Sequence, residues 1–163
     1  MNAIAIRPAA AGDVEVLAAL VGGLIAQYGL TVPVDLAAAL KRHGFGKAVH
    51  FQAFLAEDGG RAVGAVLFYP VYHPSQAAPS LFMEDLFVDP GARGRGVGRA
   101  LIARLAAHAH AAGYVGVEWT VERSNEAAHA YYTRLGAEPL AGKSHFRLAG
   151  ATLDCFAAEA GGG

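Results

Sequence analysis

The stretch that decides the fold is LFMEDLFVDPGARGRGVGRALIARL, residues 81–105. It opens with a mainly apolar segment, residues 81–88, that has the length of a strand, and it closes with apolar residues at helical spacing. Asp89-Pro90-Gly91 and a run of glycines separate the two segments and are strong turn signals. The sequence therefore predicts a strand, a glycine-rich loop and a helix over about 98–112 in immediate succession.

The loop between this strand and helix combines missing side chains with positive charge. Its residues are Arg93, Gly94, Arg95, Gly96, Val97, Gly98 and Arg99. Glycines let an anion approach the backbone, and the helix start supplies unpaired N–H groups at the positive end of the helix dipole. The arginines add cations that suit phosphate oxygens. We therefore predict a pyrophosphate site; a flexible turn with solvated arginines is the alternative.

Two other nucleotide-binding motifs fit this loop less well. A nucleoside triphosphate loop ends in Gly-Lys-Ser or Gly-Lys-Thr, whereas Gly98 is followed by Arg99 and Ala100. A dinucleotide-binding fold would use Glu118, about 20 residues beyond the loop, as a ribose ligand. However, the glycines follow G-x-G-x-G instead of G-x-G-x-x-G, and too little chain remains for a second nucleotide half.

The rest of the chain alternates between strand and helix patterns. We predict strands over residues 3–7, 51–57, 62–72, 81–88, 114–120 and 146–156, and helices over about 13–28, 35–42, 98–112 and 126–135. Asp58-Gly59-Gly60 is a hairpin signal that pairs its two flanking strands antiparallel. The order predicts an α/β fold with a mixed, mostly antiparallel sheet flanked by helices. We expect one domain over 1–163, with a core over about 3–156 and a frayed tail over 157–163.

Composition and charge narrow the classes of function. The 163 residues include 13 basic and 14 acidic ones, so the net charge of -1 creates no field that would attract nucleic acid or an anionic membrane. There is one cysteine, the first residues lack a signal-peptide pattern, and no apolar run approaches the roughly 18 residues of a membrane span. We therefore expect a cytoplasmic protein.

Arg93, Gly96 and Gly98 match the motif R/Q-x-x-G-x-G/A, and on this motif the chain resembles the GNAT acetyltransferases. It is most similar to their diamine acetyltransferase branch. The supporting segments are Ile6-Arg7-Pro8-Ala9, Gly44-Phe45-Gly46, Glu84-Asp85-Leu86-Phe87-Val88, Asn125-Glu126, Tyr131-Tyr132 and Leu135-Gly136-Ala137. The resemblance implies a GNAT-like fold and direct transfer of an acetyl group from acetyl-CoA to a primary amine of a small molecule, in a ternary complex and without a metal.

The resemblance also implies roles for residues along the cofactor. Backbone groups of Leu86, Phe87 and Val88 would pair with the pantetheine arm, and residues 94–99 would hold the pyrophosphate. Asn125 and Tyr132 would line the thioester end.

The same resemblance assigns the two proton transfers. Tyr132 would protonate the departing thiolate, because a phenol pKa near 10 is only about 1.5 units above that of a thiol. Glu84, on the strand that edges the cleft, would accept the amine's proton, and Asp85 should point the other way because strand side chains alternate. A carboxylate that only binds a cationic substrate, or makes a structural ion pair, is the alternative for Glu84. Tyr131 should be a wall or core residue, since it is about 100° around the helix from Tyr132.

The sequence leaves the chemical identity of the acceptor amine undecided. A polyamine needs several carboxylates, and neutral or basic residues occupy the segments where the diamine branch carries acidic ones: residues 27–30, 72–75 and 142–145. A smaller amine, an amino acid side chain or an amine-bearing antibiotic fits as well. The alternative class of function is a module that binds acetyl-CoA without transferring its acetyl group.

We also expect a homodimer, formed through the edge of an apolar closing strand over 151–156.

We predict that the remaining histidine, cysteine and tryptophan residues have structural roles and take no part in the chemistry. His108, His110 and His129 lack metal-ligand spacing. Cys155 should be a buried and inert thiol, and Trp119 should lie in the core.

Overall fold

The computed structural model describes residues 4–140 and 147–160. The chain forms two compact units, Met1–Thr120 and Val121–Gly163. The first unit holds the sheet. The expectation of one domain over 1–163 stays a prediction.

The first unit contains five strands and three α-helices. In chain order these are β1 (Ala5–Pro8), α1 (Val14–Gln27), α2 (Leu36–Gly44), β2 (Gln52–Asp58), β3 (Arg61–His73), β4 (Ala78–Val88), α3 (Val97–Ala111) and β5 (Val117–Glu118). The sheet order is β1-β2-β3-β4-β5; β4 and β5 are parallel, and the other neighbouring pairs are antiparallel. This confirms the predicted α/β fold with a mixed, mostly antiparallel sheet.

Helices cover both faces of the sheet. Leu17, Leu20 and Leu24 of α1 pack on one face, in a cluster with Leu67 of β3 and Phe87 of β4. The neighbouring side chain on β3, Phe68, points to the other face, where its ring lies 5.5 Å from that of His108 on α3. Val14 and Val21 complete the apolar stripe of α1, whereas Val16 is 43% exposed.

The second unit contains two helices among its described residues, α4 (Glu126–Arg134) and α5 (Ala151–Ala160). The predicted closing strand over 146–156 is therefore wrong for its described part, residues 147–156. Alanine, the best helix former, is repeated in the sequence ATLDCFAAEA and outweighs its few β-favouring residues. The strand edge on which we based a homodimer is a helix, and Cys155 is exposed instead of buried.

None of the described helices combines the length and apolar character that crossing a membrane requires.

Candidate active site

The glycine loop joins the end of β4 to the start of α3 through two tight bends. Asp89 Oδ1 accepts a hydrogen bond from the Gly91 N–H at 2.9 Å and so holds the first bend. Gly94 and Gly96 have φ values of 72° and 80°, a left-handed conformation that favours glycine. Gly96 is also the N-cap of α3. Glycine is therefore needed here for backbone conformation.

The start of α3 presents free backbone donors. The first bond that closes within the helix runs from the Ala100 N–H to the Gly96 carbonyl at 2.9 Å. The N–H groups of Val97, Gly98 and Arg99 precede that bond, so the helix offers them no acceptor four residues earlier. An anion placed there would meet these donors and the positive end of a 15-residue helix.

The three loop arginines differ in availability. Arg93 Nε donates to the Val88 carbonyl at 3.0 Å, and its Nη2 donates to Gln27 Oε1 at 2.6 Å. Arg95 forms an ion pair of 2.7 Å with Asp58. Among the described residues Arg99 has no such partner and is exposed. The side chains of Arg93 and Arg95 are therefore tied to the protein, and their assignment to a phosphate site stays a prediction.

A glycine that sequence analysis missed lets α3 approach the sheet. A Cβ atom on Gly64 of β3 would lie 2.9 Å from the Phe87 carbonyl oxygen and 3.2 Å from Val97 Cγ1. A glycine inside a strand pattern often marks such a close approach, and that signal was present in the sequence. Gly64 thus helps to position the helix that begins at the glycine loop.

One edge of β4 is unpaired near the loop. On the β5 side, pairing is limited to Leu81 with Val117 and Phe82 with Glu118. Leu86, Phe87 and Val88 lie beyond these pairs, and in the described chain no strand adjoins them on that side. Their free backbone groups can hydrogen-bond an extended ligand that adds to the sheet edge.

Glu84 lies at a β-bulge. Leu67 is opposite Asp85 and Phe68 is opposite Met83, so Glu84 is the extra residue on β4. Its carboxylate is exposed, and Oε2 accepts a hydrogen bond of 2.8 Å from the Tyr69 hydroxyl. Burial, and then the bond to Glu84, raises the pKa of Tyr69 to about 12, so the phenol remains a donor at neutral pH. Sequence analysis missed Tyr69, because its partner depends on strand register.

The bulge also overturns the expected direction of Asp85. Asp85 is paired with Leu67, and Glu84 bonds to Tyr69, two residues further along β3 and therefore on the same face. The neighbouring carboxylates thus share a face. Burial, and then the negative charge of Glu84, raises the pKa of Asp85.

The second unit holds the two remaining predicted site residues. Asn125 Oδ1 accepts a hydrogen bond of 3.0 Å from the Ala128 N–H, so its side chain caps α4. Tyr132 is half-buried on α4, and its ring lies 5.2 Å from that of Tyr131 in an edge-on arrangement. The functional roles of Asn125 and Tyr132 stay predictions.

A polar cluster lies at the start of β4 in the first unit. Glu118 Oε1 forms a 2.8 Å ion pair with His73 Nε2 and accepts a 3.2 Å hydrogen bond from the Ser80 hydroxyl. His73 Nε2 also lies 2.8 Å from Ser80 Oγ. Glu118 is therefore bound to neighbours instead of following a first βαβ unit, and the mostly antiparallel sheet rules out the dinucleotide-binding fold.

His108, His110 and His129 lie in separate surroundings and do not form a common site. His108 contacts the rings of Phe54 and Phe68, His110 is exposed, and His129 Nε2 lies 3.2 Å from the Glu122 carbonyl oxygen. Trp119, expected in the core, is only half-buried. Within residues 4–140 and 147–160, no three metal-binding side chains converge.

Comparison with known proteins agrees with this geometry. Residues 28–137 match the acetyltransferase (GNAT) family. A thialysine N-epsilon-acetyltransferase of Caenorhabditis elegans is 36% identical over 129 residues, which cover 77% of this chain and 79% of the relative. An integron cassette protein of V. cholerae superposes with a TM-score of 0.84 at 23% identity, over 94% of this chain and 97% of that one.

The fold is also that of an enzyme solved with the cofactor. An aminoglycoside N-acetyltransferase in complex with CoA has a TM-score of 0.76 at 23% identity, covering 91% of this chain and 96% of the other. The family match spans more than half of the chain, and the nematode relative is similar over most of its own length. The chain therefore belongs to the GNAT family of acetyltransferases.

Proposed function

We propose that this protein transfers the acetyl group of acetyl-CoA directly to the primary amine of a small molecule, with both substrates bound. The observation that carries the proposal is the course of β4. This strand leads from the exposed Glu84 along an unpaired edge to the free N–H groups of the glycine loop. One strand thereby provides a base, a surface for an extended arm and an anion site, in the order that acetyl-CoA and an amine require.

The cofactor is assigned to backbone groups. Leu86, Phe87 and Val88 pair with the pantetheine arm, and the N–H groups of residues 94–99 bind the pyrophosphate. Because Arg93 and Arg95 are already paired, Arg99 supplies the main side-chain charge. The cofactor is a co-substrate, and no metal takes part.

Glu84 is assigned as the base. An alkylamine with a pKa near 10.4 is protonated at pH 7, and neutralising it costs about 4.6 kcal/mol. Tyr69 holds Oε2 of Glu84 at 2.8 Å, so Oε1 is the oxygen that takes the proton, directly or through a water. The neutral amine then attacks the thioester carbonyl, and the C–S bond breaks as the tetrahedral intermediate collapses. Tyr132 gives its proton to the departing thiolate, a role that rests on the family resemblance, and the proton that the attacking nitrogen loses as the amide forms restores the phenol.

The acceptor is a small primary amine, and an amino acid side chain is the candidate that we favour. The nematode relative is named for thialysine, an amino acid with a side-chain amine. The segments 27–30 and 72–75 lack the acidic residues that a polyamine needs.

A panel of amines tests the proposal. Acetylated product should be quantified by mass spectrometry, because the exposed Cys155 would react with a thiol reagent used to detect CoA. We expect acetyl transfer that requires an added primary amine and that Glu84→Gln lowers by about 100-fold, within the range of general base catalysis. Tight acetyl-CoA binding with no product from any amine would instead identify a non-catalytic sensor module.

We also propose that the protein works in the cytoplasm as a homodimer. A chain with one cysteine forms no internal disulfide and suits a reducing compartment. The dimer rests on the family resemblance and on the exposed leucines Leu148 and Leu153 of the second unit. Light scattering at micromolar concentration should give twice the chain mass of 16.8 kDa, and a monomer would contradict this proposal.

A further inference from the structure

The cluster of His73, Ser80 and Glu118 has no part in the chemistry assigned above. Ser80 is fully buried, whereas the side chains of His73 and Glu118 are 22% and 29% exposed. Their mutual contacts involve one atom of each residue: His73 Nε2, Ser80 Oγ and Glu118 Oε1. In the described chain, His73 Nδ1 and Glu118 Oε2 have no hydrogen-bond partner. An imidazole and a carboxylate thus each keep one atom for a ligand.

The cluster lies on the same face of the sheet as Glu84. Tyr69 is paired with Phe82, which is paired with Glu118. His73 follows Tyr69 on β3 by four residues, and Ser80 precedes Phe82 on β4 by two, so all of these side chains share a face. The rings of Tyr69 and Phe82, with centroids 5.4 Å apart, lie between the cluster and Glu84. The face therefore carries the carboxylate of Glu84 at one end, the two aromatic rings in the middle and the cluster of His73, Ser80 and Glu118 at the other end.

The length of this surface defines what fits it. Ser80, which contacts both other members of the cluster, lies four residues from Glu84 on β4, which at about 3.4 Å per residue is about 14 Å. A hydrogen bond of about 2.9 Å at each end leaves about 8 Å between the polar ends of a ligand. The four-carbon stem of a lysine-like side chain, with its amine at one end and its α-carbon groups at the other, has about this length.

We infer that the cluster of His73, Ser80 and Glu118 binds the α-amino and α-carboxylate groups of the acceptor, which makes the acceptor an α-amino acid with a side-chain amine. This inference rests on the proposed function. The ligand's α-ammonium meets Glu118 Oε2, and its α-carboxylate meets His73 Nδ1, which donates a hydrogen bond when both ring nitrogens carry protons. A diamine carries no carboxylate and would use only Glu118, so His73 selects against it. Tyr69 and Phe82 pack against the aliphatic stem.

Matched substrates separate these contributions. Cadaverine is lysine without its α-carboxylate, so the kcat/KM ratio of L-lysine to cadaverine isolates the contact with His73. We expect the wild-type enzyme to favour L-lysine at least tenfold. His73→Gln should reduce that ratio about tenfold, mainly through a higher KM for L-lysine, while kcat/KM for cadaverine stays within twofold. Glu118→Gln should raise KM for both amines, and His110→Gln, which changes an exposed histidine of α3, should alter neither.

The outcomes distinguish this inference from the proposed function. Equal kcat/KM for L-lysine and cadaverine in the wild-type enzyme would overturn the inference and leave the acetyltransferase activity standing. If His73→Gln lowers kcat/KM equally for L-lysine and cadaverine, so that their ratio is unchanged, the cluster only stabilises the strands and does not bind the acceptor. Absence of amine-dependent product with every amine would overturn the proposed function itself. Thermal unfolding of each variant confirms that the compared samples are folded.

Discussion

The loop assignment makes a quantitative prediction about Gly96. With φ at 80°, an alanine at this position costs about 1–2 kcal/mol through the left-handed conformation alone, because no atom lies within 4 Å of its added Cβ. Proline, whose φ is fixed near -65°, cannot adopt this conformation at all. Gly96→Pro must therefore reshape the helix start and move the N–H groups of Val97 and Gly98 away from a bound phosphate.

The affinity lost can be estimated from those donors. A hydrogen bond to a charged group contributes about 1.5–3 kcal/mol, so losing one or two of them should weaken acetyl-CoA binding by at least about 10-fold and up to about 10⁴-fold. Arg95→Ala should weaken it less than about threefold, because Arg95 is paired with Asp58 and is not free for phosphate. Isothermal titration calorimetry with acetyl-CoA measures both effects.

Gly113 provides the matched control for strain. It also has a positive φ, 78°, with no atom within 4 Å of an added Cβ, and it follows the other end of α3. The helix has 15 residues and is about 22 Å long, so Gly113→Ala adds similar strain far from the anion site. Both alanine variants should lose similar stability, and only Gly96→Ala should lose acetyl-CoA affinity. Equal affinity of wild type and a folded Gly96→Pro variant would refute the loop assignment.

Three further predictions concern the acid, the paired carboxylates and the packing of α3. Tyr132→Phe should lower kcat about 100-fold with little change in acetyl-CoA affinity, and an unchanged kcat, with chemistry shown to limit the rate, would remove the acid role. Burial and the charge of Glu84 raise the pKa of Asp85, so ionising Asp85 destabilises the fold as pH rises above its ordinary value of 3.8. Asp85→Asn should therefore be more stable than wild type at pH 7 in urea unfolding, with a gain that shrinks towards pH 4; a gain independent of pH would contradict this cause. Gly64→Ala should destabilise the protein by about 1–3 kcal/mol, because its Cβ would meet the Phe87 carbonyl at 2.9 Å, and an unchanged unfolding midpoint would show that the strand yields easily.

Local sequence patterns were sufficient for most of the fold. The hairpin of β2 and β3 follows from two apolar runs around Asp58-Gly59-Gly60, and α3 follows from helical spacing after the glycine loop. The segment 151–156 was mistaken for a strand, because a short apolar run carries no clear period and its alanine content was given too little weight. Trp119 was also predicted wrongly, because an aromatic residue near the end of a strand is not always buried by other side chains.

Side-chain partnerships at the site could not be predicted in the same way. The bulge that sends Glu84 and Asp85 to one face adds a single residue to β4 and has no signal in the sequence. The contact of Tyr69 with Glu84 spans 15 residues, and that of Ser80 with Glu118 spans 38, so both depend on strand register. Motifs predicted the position of the candidate site, whereas the arrangement of side chains within it arises from tertiary structure.

The arginine that begins the family motif shows how this arrangement changes the chemistry. As a sequence feature, Arg93 looks like a phosphate ligand; in the structure its guanidinium joins the end of β4 to Gln27 at the end of α1, across 66 residues. Arg95 likewise ties the loop to Asp58 of the β2–β3 hairpin. These contacts form within the protein itself, so the loop is ordered before a pyrophosphate arrives and loses little conformational entropy on binding. In the proposed site, the charge of Arg93 and Arg95 therefore fixes the shape of the loop, and the backbone N–H groups that this shape exposes are the groups assigned to the anion.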